Sequence, residues 1–326
     1  MTQLQRGAAA VAARDEHGAE AGGQGMQQEE WVLRWQDEFD GDTLDASRWY
    51  CERGNGFHDP VSGVWVPGWG NEELQEYTAD ARNVSVRDSV LSIRALRDAS
   101  SPGGFTSARL RTRDADGRAL FAQRYGRFEF RARVPHGKGL WPAIWMLPLE
   151  DHYGRWAASG EIDVMEVCGD AGSEVLGSLH YGCVFPEREL CTRRLLLAPE
   201  ESLADWHCYA VEWEPGRISW EFDGRVWASQ DFWWSCGHTV DGRGRRPRSE
   251  QELHAWPAPF DRPFYIVMNI AVGGNFPGAP DDTTPFPAEL QVDYVRVYER
   301  RGGYADAGRR GRGRLPWQRE GDGHVA

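Results

Sequence analysis

Three acidic residues occur close together in residues 159–167, which read SGEIDVMEV. On a β-strand, Glu161 and Asp163 project from the same face because successive side chains alternate. Glu166 falls on the opposite face because its offset from Glu161 is odd. One extra residue, accommodated by a β-bulge at Val164-Met165, returns it to the same face. The spacing therefore predicts three carboxyls on one face of a bulged strand, with the intervening apolar residues turned toward a core.

Like charges on one strand face repel each other, and a purely structural design avoids this arrangement. Burial and like charge raise the pKa of at least one acid, which then stays protonated near neutral pH. An acid beside a carboxylate is what glycoside hydrolysis requires: one attacks the anomeric carbon and the other protonates the departing oxygen. The alternatives from the residues alone are a metal site or a solvated acidic strand. A calcium loop uses flexible backbone carbonyls, which an apolar-interleaved strand does not offer.

The elements that must position these acids are strands. Alternating or β-branched runs bounded by turn residues predict strands at 83–86, 90–95, 128–134, 209–213, 218–222, 225–229, 264–270 and 290–298. Asp223-Gly224 is a strong two-residue hairpin signal between two of them. Clear helical periodicity is absent, so an all-β sandwich or barrel of antiparallel strands is predicted. Residues 184–205 and 235–259 are predicted to be long loops.

Composition limits the class of protein. The 326 residues include 16 Trp, more than one core can hold, so some are expected to stack on a ligand. The net charge of −13 argues against nucleic acid as a partner. No apolar run approaches the ~20 residues of a membrane helix. Residues 1–30 lack the apolar stretch of a secretory signal peptide, and residues 1–30 and 301–326 are predicted to be disordered flanks of a single domain at 31–300.

The six cysteines leave two interpretations open. None forms a C-x-x-C pair, so no zinc site is predicted. They could form disulfides, and Cys183 and Cys191 lie close enough in sequence to close a small loop, or they could be buried free thiols. The cysteines are Cys51, Cys168, Cys183, Cys191, Cys208 and Cys236.

The acidic segment EIDVME resembles the bulged E-x-D-x-x-E signature of glycoside hydrolase family 16, in its laminarinase-like group. Other blocks in chain order are similar to that family: 71–78 (NEELQEYT), 125–129 (YGRFE), 139–148 (GLWPAIWMLP), 180–182 (HYG), 273–278 (GGNFPG) and 292–298 (VDYVRVY). The resemblance covers about residues 31–300. It implies an all-β fold, a β-jelly-roll sandwich of two antiparallel sheets with a substrate cleft across the concave sheet.

The resemblance also assigns roles. It implies that Glu161 is the nucleophile, Glu166 the acid/base, and Asp163 the middle acid that tunes its neighbours. Trp141 and Trp145 share a strand face, where they could pack in the core or stack on sugar rings, and the resemblance favours stacking. Further cleft candidates are Asn71, Arg109 and Asn275, which resemble groups that bind sugar hydroxyls, together with His180 near Glu166 and Trp156.

The implied function is a retaining endo-acting hydrolase of β-1,3-glucan of the laminarin type, acting as a monomer on an extracellular or cell-wall polysaccharide. The alternatives are mixed-linkage glucan, an agar- or carrageenan-type galactan, or transglycosylation on the same scaffold. A second alternative is a non-catalytic β-glucan recognition protein. No cofactor is expected for catalysis. Asp293 resembles the side-chain ligand of a structural Ca²⁺, with backbone carbonyls near Glu38 and Ser89 as its partners.

Overall fold

Strands make up nearly all the regular structure of this chain. The computed structural model describes residues 31–59, 62–240, 243–315 and 317. Within them, the only helices are the 3-10 turns Gly68–Gly70 and Glu250–Glu252, and none is long and apolar enough to cross a membrane. The strands are β1 (Trp31–Asp37), β2 (Tyr50–Cys51), β3 (Gly56–His58), β4 (Trp65–Pro67), β5 (Gln75–Tyr77), β6 (Val84–Arg87), β7 (Val90–Arg97), β8 (Phe105–Ser107), β9 (Arg109–Arg111), β10 (Gly126–Arg133), β11 (Leu140–Pro148), β12 (Glu161–Glu166), β13 (Glu174–Cys183), β14 (Arg188–Leu196), β15 (His207–Glu214), β16 (Arg217–Phe222), β17 (Arg225–Gln230), β18 (Ser235–Cys236), β19 (Thr239–Val240), β20 (Arg243–Gly244), β21 (Phe264–Val272) and β22 (Ala288–Arg300).

Two large sheets form a sandwich. The ten-stranded sheet has the order β17-β16-β15-β10-β22-β7-β8-β5, with β1 beside β22 and β6 beside β7. The eight-stranded sheet has the order β14-β13-β12-β11-β21-β9-β2, with β18 beside β13. The pairs are antiparallel except β5–β8 and β13–β18. The predicted all-β jelly-roll sandwich is confirmed.

Alternating side chains give the sandwich its core. In β10, Phe128, Phe130 and Ala132 are buried, whereas the residues between them are partly exposed, as the alternation predicts. The buried side chains of both sheets join one apolar cluster. The hairpin between β16 and β17 turns at Asp223 and Gly224, whose φ angles of 48° and 74° suit a type I′ turn.

Strand β12 lies near the middle of the eight-stranded sheet, between β11 and β13. Against β13, Asp163 pairs with Ser178 and Glu166 with Leu176, so β12 contains one residue more than its neighbour over this stretch. The register with β11 shifts at the same place, where Met165 and Asp163 face consecutive residues of β11. The bulge predicted at Val164-Met165 is therefore confirmed. Ile162, Val164 and Met165 are buried in the core cluster.

Three stretches differ from the sequence-based expectation. The predicted loop at 184–205 contains β14, which pairs with β13 along its whole length. The predicted loop at 235–259 contains β18, the β19–β20 pair and the second 3-10 turn. The first part of the tail predicted to be disordered packs on the domain, since Tyr304 contacts Tyr125 and the Gly311 N–H donates to the Asp231 carbonyl. Residues 1–30 and 318–326 lie outside the described residues, and the domain division stays a prediction.

Deleting Val164 tests the bulge. Without this residue, plain alternation keeps Glu161, Asp163 and Glu166 on one face and leaves Met165 in the core. We expect the deletion to preserve cooperative unfolding and to lower Tm by several degrees, because one buried side chain is lost, at a cost of about 1–3 kcal/mol.

Deleting Ile162 is the matched control, because it removes one residue of the same strand but turns Asp163 into the core. An unpaired buried carboxylate is far more costly than a small cavity. Thermal unfolding followed by circular dichroism distinguishes the two variants. Equal losses of stability in the two deletion variants would show that the bulge does not determine on which face of the sheet the three acids lie.

Candidate active site

The outer face of the eight-stranded sheet, which we call the cleft face, carries the three acids of β12. Glu161 is partly buried, and its Oε2 accepts a hydrogen bond from Trp156 Nε1 at 2.6 Å. Glu161 lies opposite His180 of β13, whose Nε2 is 3.6 Å from Glu161 Oε1. Burial raises the pKa of Glu161 to about 8, and the charges of Asp163 and Glu166 add to this. His180 and the Trp156 N–H act in the opposite direction, since both stabilise the carboxylate.

Asp163 lies between the two glutamates and is almost fully buried, with 2% of its surface exposed. Burial, followed by the charge of Glu166, raises the pKa of Asp163 well above its usual range. The neighbouring Glu161 side chain acts against this shift. Asp163 Oδ2 is buried and has no hydrogen-bond partner among the described residues. The Asp163 backbone carbonyl accepts from Trp220 Nε1 at 2.8 Å, which ties β12 to the opposite sheet.

Glu166 is buried on the far side of the bulge. Trp141 Nε1 donates to its Oε1 at 3.0 Å, and Ser178 Oγ donates to its Oε2 at 3.4 Å. Burial raises the pKa of Glu166, and the charge of His180 and these two donors partly offset the rise. Each glutamate thus has an indole N–H of its own, supplied by a different segment of the chain.

The three carboxyls titrate as a coupled set, because each one disfavours ionisation of the next. Burial adds to this, so all three cannot ionise together near neutral pH, and the set holds at least one proton. The arrangement offers a carboxylic acid and a carboxylate on one strand face. That is the pair of groups that acid-assisted nucleophilic displacement at a glycosidic carbon needs.

A metal is the other reading of these side chains. The ligand atoms of Glu161, Asp163 and His180 lie within 4.8 Å of one another, close enough to share an ion. However, one of the candidate oxygens, Oε2 of Glu161, already accepts a hydrogen bond from the Trp156 indole N–H. A carboxyl oxygen held by a fixed N–H donor suits proton transfer better than metal ligation.

Aromatic side chains surround the acids. Trp141 and Trp145 are both partly exposed and lie on the same face of β11, as the spacing predicts. The Trp141 ring meets the Phe276 ring edge-on, with 5.2 Å between their centroids, and the centroids of Trp156 and Phe185 are 6.0 Å apart. Phe185 and Phe276 are exposed and extend the aromatic surface on both sides of the acids. Sequence reasoning did not select either one, although Phe276 stands within the block at 273–278.

Arg109 holds a wall of the cleft in place. Its guanidinium lies between the rings of Trp69 and Trp145, at 4.6 and 4.8 Å from their centroids. Its Nε pairs with Glu52 at 2.6 Å. These contacts with two rings and Glu52 position Trp145. The contact with sugar hydroxyls that the resemblance implies for Arg109 stays a prediction.

A buried polar chain supports the same wall and was not found from the sequence. Trp145 Nε1 donates to Asn269 Oδ1, and Asn269 Nδ2 donates to the Tyr77 hydroxyl, which donates to Glu73. Asn71 Nδ2 also donates to Glu73, at 3.0 Å. The sequence signal for this hydrogen-bonded row is the family resemblance of residues 71–78, which does not indicate the hydrogen-bond partners of those residues.

Asn71 and Asn275 lie close together, and their predicted contact with sugar hydroxyls stays a prediction. The Asn275 N–H donates to the Asn71 carbonyl at 2.8 Å, so the loop before β5 is held to the loop after β21. His180 was predicted beside Glu166. In the structure its Nε2 lies 3.6 Å from Glu161 and 3.4 Å from Asp163.

Asp293 lies on the other sheet, away from this site. The register of β22 with β7 and β1 brings it near both Ser89 and Glu38, as the calcium expectation requires. However, Arg131 Nη1 pairs with Asp293 Oδ2 at 2.5 Å, and a guanidinium at that oxygen competes with a cation. The structural calcium stays a prediction, and no step at the acids depends on it.

Comparison with known proteins agrees with this geometry. The model of glycosyl hydrolases family 16 matches residues 71–231. Glucan endo-1,3-beta-glucosidase A1 of Niallia circulans is 40% identical over 279 residues, which span 82% of this chain and 38% of that protein. Beta-glucanase of Rhodothermus marinus is 40% identical over 276 residues, which span 82% of this chain and 85% of that protein. The catalytic domain of a Thermotoga petrophila RKU-1 endo-1,3-beta-glucanase (laminarinase) has a TM-score of 0.66 and 33% identity, covering 84% of this chain and 99% of that one.

Replacing His180 by Gln tests the electrostatics of the site. The charge of His180, which lies beside Glu161 and Asp163, lowers the pKa of Glu161. Its removal raises the pKa of Glu161, so the ionised form that turnover needs appears only at higher pH. We expect the acidic limb of kcat/KM to move up by about one pH unit.

The exposed His152, which accepts from Arg262, is the control, and His152→Gln should leave the limb in place. If kcat/KM of His180→Gln is lowered at every pH but its acidic limb is not displaced, His180 has only a structural role. Full profiles for both variants, measured on one soluble substrate, distinguish these outcomes.

Proposed function

This chain belongs to glycosyl hydrolase family 16 and is a glycoside hydrolase, and from that premise we propose that it cleaves internal β-1,3 linkages of glucan with retention of configuration. The observation that carries the proposal is the bulge of β12, which places Glu161 and Glu166 on the cleft face. Retaining enzymes need two carboxyls only about 5–5.5 Å apart, a separation that short offsets along one strand can supply.

The environment of each acid supports its role in a double displacement. Glu161 is the nucleophile: the Trp156 N–H binds Oε2, which orients the carboxylate with Oε1 available for attack. Glu166 is the acid/base: its buried carboxyl keeps a proton, delivers it to the departing oxygen, and then takes a proton from water. Asp163 lies between the two glutamates and links their protonation through charge: its charge raises the pKa of Glu161, and the charge of Glu166 raises the pKa of Asp163.

The substrate is proposed from the relatives and from the shape of the aromatic surface. Two of the three proteins compared above have names that specify endo-1,3-β-glucan cleavage. Trp141, Trp145 and Trp156 present partly exposed rings beside the acids, suited to stacking on pyranose faces. We further propose that the enzyme acts as a monomer on polysaccharide outside the cell or in a wall.

The alternatives differ in substrate or in chemistry. Mixed-linkage glucan, agar- or carrageenan-type galactan and transglycosylation would use the same two glutamates. A non-catalytic β-glucan recognition protein would not need them, and the presence of both Glu161 and Glu166 with their indole donors argues against it. The tests below separate these candidates.

The catalytic pair is tested by Glu161→Gln and Glu166→Gln. Glu161→Gln removes the nucleophile, so turnover of laminarin should fall by roughly 10³-fold or more while binding persists. With an aryl β-laminarioligosaccharide, Glu166→Gln should still release one phenolate per active site, because this leaving group needs no proton. The intermediate should then accumulate for lack of a base.

Azide needs no base, so it should restore turnover in Glu166→Gln by intercepting the intermediate. Asp205→Asn, at an exposed acid outside β12, is the matched control and should keep wild-type rates. Appreciable laminarin turnover in pure Glu161→Gln enzyme would overturn the assignment of the nucleophile.

Substrate and stereochemistry are tested together by proton NMR of the first products. Laminarin should be cut internally into oligosaccharides that first carry the β-anomer, since two displacements restore the original configuration. Parallel reactions with lichenan, agarose and carrageenan identify the linkage. Initial α-anomer would contradict the retaining mechanism, and cleavage of a galactan alone would replace the substrate while leaving the family unchanged.

A further inference from the structure

Two cysteines outside the site of the acids lie side by side. Strand β18 pairs with β13 in parallel, and the register places Cys236 directly opposite Cys183. Neighbouring strands run about 4.8 Å apart, within the range of Cα separations that a disulfide spans. The Sγ atoms of both residues approach one acceptor, the Arg245 carbonyl oxygen, at 3.1 and 3.9 Å.

The pairing between Cys183 and Cys191, which their proximity in sequence allowed, does not fit the structure. Cys191 lies opposite Leu179 in the β13–β14 register, four positions along β13 from Cys183. At about 3.3 Å per residue, that offset alone is about 13 Å, well beyond the reach of a disulfide. Cys208 belongs to the other sheet. All six cysteines are free thiols in this structure.

We propose that Cys183 and Cys236 form a disulfide under oxidising conditions, and that this bond fastens the segment beginning at β18 to strand β13. The oxidant is a small-molecule disulfide such as oxidised glutathione, or the disulfide of a thiol oxidase. Cys236 Sγ attacks one sulfur of that disulfide and releases one reduced thiol. Cys183 Sγ then attacks the mixed disulfide at Cys236 and releases the second, so two thiol protons and two electrons pass to the oxidant.

The environment of the pair supports this order of attack. The adjacent Cys183 lowers the pKa of Cys236, helped by the backbone and the charge of His238, while the pKa of Cys183 itself is raised. Cys236 is therefore the more readily ionised of the two thiols, and the thiolate is the reactive form. Both side chains are buried, so the bond forms while the chain folds or when β18 opens.

The position of the bond connects it to the acids. Cys183 ends β13, the strand that presents His180 to Glu161 and Asp163. Beyond Cys236, the chain continues into the arginine-rich segment, where the Gly244 N–H donates to the Phe185 carbonyl beside Trp156. A covalent bond at Cys183 therefore fixes this segment next to one side of the cleft.

The experiment starts from the full chain, reduced and unfolded, and refolds it with a mixture of reduced and oxidised glutathione. Remaining thiols are blocked with N-ethylmaleimide, and the intact mass gives their number. We expect four blocked thiols and one internal disulfide. Trypsin should yield peptide 156–188 joined to peptide 226–243. Cleavage at Glu174 then separates Cys168 from Cys183.

Stability supplies a second measurement. The bond closes a large loop, so the oxidised protein should unfold about 5–10 °C higher than the same protein in reductant. Cys236→Ala should lose this difference, whatever its own Tm, whereas Cys191→Ala should keep it. Six blocked thiols, a joined pair other than Cys183 and Cys236, or an unchanged difference in Cys236→Ala would overturn the proposal.

Discussion

The mutual repulsion of three buried carboxyls on one strand is the constraint on which the rest of the site depends. Asp163 and Glu166 are buried and Glu161 is partly buried, so water screens their charges poorly, and burial raises the pKa of each. A protein selected for stability alone would replace them, because each ionised group costs desolvation energy. Their retention is explained by chemistry that needs one proton shared among neighbouring acids.

The surrounding strands compensate for this cost group by group. Trp156 and Trp141 each donate an indole N–H to one glutamate, and His180 stands between Glu161 and Asp163. These donors come from the segment before β12, from β11 and from β13. The acids are therefore poised only when three neighbouring parts of one sheet are in register, which is why the site lies near the middle of that sheet.

A second set of contacts holds the aromatic surface beside the acids. Arg109 is fixed between Trp69 and Trp145, and the polar chain from Trp145 through Asn269 to Tyr77 fixes the ring of Trp145. On the opposite side, the end of β13 meets β18 through Cys183 and Cys236. The rigid sandwich therefore controls both the acids and the surfaces that receive a polysaccharide.

Local pattern by itself determined much of this protein. Alternation predicted the buried face of β10, and Asp223-Gly224 predicted the β16–β17 hairpin, because both depend on a few adjacent residues. The odd offset between Glu161 and Glu166 located the bulge, since only one extra residue can bring both side chains to one face. The family resemblance added the fold and implied the roles of the acids.

Only the tertiary structure decided which groups meet the acids. Cys183 opposite Cys236 and the pairing of β14 with β13 arise from sheet register. The packing of Arg109 against Trp69 and Trp145 likewise joins segments that are distant in sequence. Register is set by the packing of the whole core, and no local pattern encodes it.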